Sequence, residues 1–148
     1  MRRVSLGIGA LLLLTLVGHS AAQAPDAVQQ NLLGTWTGWV VEGRGERPDR
    51  GPAKISEMVI TRDLIRARDD RQSYGAGQYR LDARQNPGHL DAMGTEGQSR
   101  GKNYLGIFSL QGDTLYWCSA NPGRPRPTEL ATRPGNGQFL MVLKRVRK

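Results

Sequence analysis

The sequence predicts an all-β protein, a single antiparallel up-and-down barrel of about eight strands. Three observations carry this. Short apolar or alternating runs recur from Leu32 onward, clusters of Gly, Pro, Asp and Asn separate them at short intervals, and no segment sustains a 3.6-residue apolar period. Strand-like runs punctuated this regularly by turn residues are the pattern of a barrel or sandwich.

Taken in order, the elements begin with a short helix from Asp26 to Leu33, with Asp26 placed to cap it. Strand-like runs follow at Gly34 to Glu42, Ile55 to Thr61, Leu64 to Asp69, Ser73 to Leu81, His89 to Met93, Asn103 to Leu110, Thr114 to Ala120 and Gln138 to Val146. Gln111-Gly112-Asp113 and Arg62-Asp63 read as tight hairpins, the first because glycine supplies a positive φ. Hairpins between successive strands imply a meander. Gly75-Ala76-Gly77 falls inside a strand, where glycines mark bends or bulges that let a barrel curve. Three stretches read as loops: residues 43–52, with three arginines; residues 82–88; and residues 121–137, with Pro122, Pro125, Pro127 and Pro134. Four prolines make the last a stiff covering segment.

Ahead of the barrel, Met1-Arg2-Arg3 precedes an apolar run from Val4 to Val17, and Ala22-Gln23-Ala24 supplies an A-x-A site. Positive, apolar and small-residue regions in that order predict a cleavable signal peptide over residues 1–24. The run is shorter than the roughly 20 apolar residues that span a bilayer. An exported protein, periplasmic or extracellular and soluble after cleavage, is expected, with one domain over residues 25–148. Removing Arg2 and Arg3 from 21 basic residues leaves 19 against 13 acidic, a formal net charge of +6 on the mature chain. Its 124 residues suffice for one core. Cys118 is the only cysteine, so no internal disulfide forms; within Leu115-Tyr116-Trp117-Cys118 it reads as a small buried hydrophobe.

The inventory for catalysis is poor. His19 leaves with the signal, so His89 is the one histidine of the mature chain, and a Cys/His zinc set would have one member of each type. His89, Asp91 and Cys118 could be assembled into a nucleophilic arrangement, but no G-x-S-x-G pattern accompanies them. The carboxylates sit at turns or beside arginines, as in Asp69-Asp70-Arg71, Glu46-Arg47 and Asp82 to Arg84, which suits solvated surface charge better than a glycosidase pair. No phosphate-cradling glycine motif occurs. The chain reads as a non-enzyme with no cofactor and no metal. Arg44, Arg47, Arg50, Arg62, Arg66 and Arg68 are dense, yet interspersed acids and the exported setting turn this charge away from nucleic acid; anionic envelope polymers or lipid headgroups suit it better, and ordinary solubility better still.

Gly34-Thr35-Trp36 is similar to the G-x-W signature of lipocalins and related calycin barrels. In that superfamily the tryptophan closes one barrel end beneath a basic residue of the last strand. Phe139, Met141, Leu143 and Arg145 share one strand face by alternation, which makes Arg145 the partner for Trp36. A longer series, Leu33-Gly34-Thr35-Trp36, Gly77-Gln78-Tyr79-Arg80-Leu81-Asp82, Leu105-Gly106-Ile107-Phe108 and Leu110-Gln111-Gly112-Asp113-Thr114-Leu115, continues through Cys118, Arg126-Pro127-Thr128-Glu129 and Leu140 to Arg145. It resembles a family of small bacterial exported domains of unknown function, found in planctomycete-type genomes and described as lipocalin-like. The resemblance implies a lipocalin-like fold and an exported setting, and brings no catalytic residues with it.

Barrels of about eight strands are just wide enough for one small ligand. Non-enzymatic binding of a small apolar or amphipathic ligand is the leading expectation, with Trp36, Tyr104, Phe108, Leu115 and Trp117 as candidate lining residues. Tyr104 and Phe108 fit either strand face, and all five would serve equally as core filling. The alternative is an envelope interaction module whose basic loops bind an anionic polymer or a protein partner.

Overall fold

The computed structural model describes residues 25–43, 51 and 53–147. The expected signal peptide and most of the arginine-rich stretch, including Arg44, Arg47 and Arg50, lie outside the described residues.

One short helix, α1 (Pro25–Leu32), leads into nine strands: β1 (Gly34–Val41), β2 (Ala53–Ile60), β3 (Leu64–Arg68), β4 (Ser73–Asp82), β5 (Gly88–Gly94), β6 (Asn103–Tyr104), β7 (Gly106–Gln111), β8 (Thr114–Ala120) and β9 (Gln138–Arg145). All strand pairings are antiparallel. The sheet runs β4-β3-β2-β1-β9-β8-β7-β5, and a β4–β5 pairing closes it. β6 and β7 both face β5 in one register, with Tyr104 opposite Ala92 and Phe108 opposite Gly88, so they are two halves of a single barrel strand. The result is a closed, eight-stranded meander, as the strand spacing predicts.

Boundaries depart from expectation by a residue or two at most strand ends. At the helix the change is more instructive. Pro25 occupies its first position and Asp26 lies inside the first turn, so Asp26 is not the cap. Proline suits that position because its missing N–H would have no helical partner, and an acidic side chain in the first turn complements the helix dipole. At the β7–β8 hairpin, Gly112 takes φ +59° with open space where a side chain would stand, so its requirement is conformational alone.

The core fills one half of the barrel, the end reached by α1 and by the β2–β3, β4–β5 and β7–β8 turns. Trp36, Met58, Leu90, Leu115 and Leu143 are buried there, with Leu32 of α1 inserted among them. Trp36 is fully buried, and the Arg145 guanidinium carbon lies 4.2 Å from its ring centroid. These two side chains also complete the helix. Trp36 Nε1 donates to Leu32 O at 3.0 Å, while Arg145 donates to Leu33 O at 2.9 Å and to Asn31 O. An eight-residue helix is marginal alone; carbonyl groups left over at its C-terminus take the indole N–H and a cation that also suits the dipole. Arg145 further pairs with Asp113 in the β7–β8 turn at 3.2 Å. No helix among the described residues is long and apolar enough to cross a membrane.

Replacing Arg145 with alanine removes the stacked cation and three hydrogen-bonded contacts, and should lower unfolding free energy by about 2–3 kcal/mol. Arg145→Lys keeps the charge but loses the fork, and should recover less than half of that in urea titration.

Candidate functional site

Along each strand, the half away from α1 is differently furnished. There the lumen holds an apolar cavity of about 240 Å³. Its aromatic and branched walls come from Val40 on β1, Ile55 and Met58 on β2, Ile65 on β3, Tyr104 on β6, Trp117 on β8, and Phe139 and Met141 on β9. The β3–β5 wall contributes small residues instead. Ala67 pairs with Gly75, and Gly77 with Gly94, all bordering the cavity along with Ala92. Interiors normally pack without such gaps. Here Ala67 and Ala92 are the small side chains of that wall, whereas a Cβ at Gly75, Gly77 or Gly94 would strike Glu96 O, Met93 O or Ser99 O, so the glycines admit close backbone approach.

The cavity lies at the mouth, where the chain turns between β3 and β4, between β5 and β6, and between β8 and β9. The β5–β6 connection, with a 3-10 turn at Gly97–Ser99, folds inward over β4: Thr95 and Glu96 N–H groups donate to Ala76 O at 2.8 and 3.2 Å. Ser99 thereby joins the lining.

Of the five candidate lining residues, Tyr104 and Trp117 border this cavity. Trp36, Phe108 and Leu115 do not; they pack in the filled half. Phe108 sits below Gly88 and borders a separate polar cleft with Arg145. The glycines and alanines of the β3–β5 wall were the missing part of the expected site. Gly75-Ala76-Gly77 is the segment read as a barrel bend, and its two glycines let the β5–β6 connection and β5 approach closely, with a Cβ at either position standing 2.5 Å from a backbone carbonyl oxygen.

Trp117 links the cavity to an irregular seam in the wall. Between β5 and β7 the ladder stops where Leu90 and Asp91 would face Gly106 and Leu105. Side chains replace the missing bonds: Trp117 Nε1 donates to Leu90 O at 3.0 Å, Gly106 N–H donates to the Asp91 carboxylate at 3.1 Å, and Arg126 donates to Gly106 O at 2.7 Å. Gly106 is needed for this approach, since a Cβ there would stand 2.4 Å from Trp117 Nε1 and 2.6 Å from Leu90 O. Arg126 also grips both carboxylate oxygens of Asp91. Partial burial pushes the Asp91 carboxyl up, but the Arg126 hydrogen bonds, the Gly106 N–H and the nearby positive charge outweigh it and hold the group below its ordinary value.

Arg126 belongs to the proline-rich loop, residues 121–137, whose Pro127 is among the most deeply buried side chains. The loop covers the outer face of β7 and β8. Cys118, paired with Ile107 there, is fully buried, and its thiol donates to Ala131 O at 3.6 Å. Burial pushes the thiol up to about 11, with Glu129 adding to the rise. A thiol held protonated is a poor nucleophile. Asp91, in turn, is committed to Arg126, and no group of three or more metal-ligating side chains occurs among the described residues. No family model, curated protein or solved structure matches the chain.

Arg126→Ala leaves Asp91 without its cation and Gly106 O without its donor, and should cost about 2 kcal/mol. It should also speed labelling of Cys118 by a thiol reagent several-fold at pH 8, because the loop loses its pin. Since the folded Asp91 is depressed below its ordinary value of 3.8, its stabilisation is present above that value and is lost as pH falls through the folded one. Asp91→Asn should therefore show a shallower loss of stability than wild type below about pH 4 in acid titrations.

Proposed function

We propose that the protein is a non-enzymatic binding barrel that holds one small, mostly apolar ligand in the mouth half of its lumen. The observation that carries this reading is the apolar cavity of about 240 Å³, bordered by side chains from β1 to β9. An engineered apolar cavity of about 150 Å³ stays dry and takes up benzene, so a space of this size suits a substituted aromatic ring or a short branched chain. Water gains little by entering, because few polar groups face it. The floor is closed by Trp36 and Arg145, and the wall at Trp117 is braced by the proline-rich loop, so the cavity exists before any ligand arrives. Such preorganisation reduces the ordering cost of binding.

The tripartite segment at residues 1–24 supports export to the periplasm or beyond, and the resemblance to exported lipocalin-like domains supports the same setting. The alternative is adhesion through basic loops; Arg66 and Arg68 on β3 are opposed by Glu96 and Glu57, while Arg44, Arg47 and Arg50 lie outside the described residues.

Ethylbenzene added to the purified protein should raise its melting temperature in a concentration-dependent way, as any ligand selective for the native state must. Ala92→Phe should fill the cavity and abolish that rise while the unliganded protein stays folded; Ala67→Phe tests the same space from β3. A wild-type melting temperature indifferent to ethylbenzene and to similar hydrocarbons would remove the binding reading.

A further inference from the structure

The polar groups bordering the cavity are few, and their hydrogen-bonding capacity is largely spent. Tyr74 hydroxyl lies 3.1 Å from Lys54 O and 3.0 Å from the Asp69 carboxylate. Ser99 Oγ donates to Glu96 O at 2.9 Å, Ser119 Oγ to Leu105 O at 3.5 Å, and Trp117 Nε1 to Leu90 O at 3.0 Å. Tyr104 is the exception. Its hydroxyl finds no hydrogen-bond partner among the described residues, although its ring borders the cavity and is held edge-on to Phe139, with centroids 6.4 Å apart and planes at 77°.

Position adds to this. Tyr104 lies at the mouth end of its strand, opposite Ala92, with open lumen rather than a bulky side chain across the ladder. Tyr104 is only partly buried, and no buried side-chain oxygen among the described residues lacks a partner, so its hydroxyl is open to water at the mouth and is the one polar side-chain group of the lining left to meet a ligand. Burial also pushes the Tyr104 hydroxyl above its usual value, so it remains a donor through neutral and mildly alkaline pH.

We infer that Tyr104 is the polar anchor of the lumen, donating a hydrogen bond to an oxygen acceptor on an amphipathic ligand whose apolar body lies against Met58, Trp117 and Met141. This rests on the binding reading above and narrows it. The preferred ligand is not a plain hydrocarbon. It carries a carbonyl or carboxylate oxygen at one end, which stays near the mouth while the hydrocarbon part goes inward. The selectivity follows from unequal costs: an acceptor placed at Tyr104 replaces a bond to water, whereas one placed deeper would meet donors already engaged.

Acetophenone and ethylbenzene, nearly equal in shape, separate the two ideas when titrated into wild type and Tyr104→Phe. Loss of one neutral hydrogen bond should weaken acetophenone roughly 3- to 10-fold in the variant, with ethylbenzene changed less than about two-fold. The ethylbenzene titration doubles as the check that the variant remains folded with its cavity intact. In wild type, the carbonyl stretch of bound acetophenone should also move to lower frequency than in hydrocarbon solvent, a reading that requires no variant. Equal weakening of both probes, or none of either, would overturn the anchoring role and leave the cavity as a binding site. Failure of both probes to bind wild type would overturn the anchor together with the binding reading.

Discussion

The stack of Arg145 on Trp36 is the contact on which the barrel's closed end depends. It joins four parts of the chain distant in sequence: the C-terminus of α1, the head of β1, the end of β9 and the β7–β8 turn. Trp36 supplies the apolar floor. Arg145 supplies charge and geometry together, since one planar guanidinium covers an aromatic face and reaches helix carbonyls and a carboxylate around its rim. With that end filled and fastened, the apolar cavity lies in the other half of the lumen.

Much of this floor was legible in the sequence. Gly34-Thr35-Trp36 stands at a strand head, and alternation along Phe139, Met141, Leu143 and Arg145 identifies one face of the last strand. The meander was legible for the same reason: its pairings are mostly between neighbours, so turn residues and period-two patterning carry the information. The cavity was harder to read. Ala67, Gly75, Gly77, Ala92 and Gly94 are unremarkable one at a time, and only register brings them together along one border of the cavity. Alternation puts aromatic residues on the inner face, yet Phe108 and Leu115 belong to the packed half, a distinction set by height along the barrel rather than by strand face.

The seam between β5 and β7 was not legible at all. Leu90 O, Gly106 and Asp91 are served by Trp117 and Arg126, and nothing in local sequence announces that a loop arginine completes a strand ladder. Sheet edges and gaps must have their hydrogen bonds met somewhere. Here a segment outside the sheet meets them, so the proline-rich loop is part of the wall. Its prolines suit that task, because a segment with few accessible conformations loses little entropy on being pinned.

The closing pairing has a consequence for the order in which the molecule can be made. β9 borders both β1 and β8, and Val146 N–H donates to Thr35 O at 2.8 Å beyond the strand's end. Every hairpin from β1 to β8 joins residues close in sequence, whereas the β1–β9 seam spans nearly the whole described chain. During synthesis, a partial chain holds β1 and β8 as two open edges with Trp36 uncovered, a state prone to pair with other strands. The final strand brings the second half of the floor and the last wall at one stroke. Assembly is thus gated by the arrival of β9, and the barrel stays unfinished, and vulnerable, until that moment.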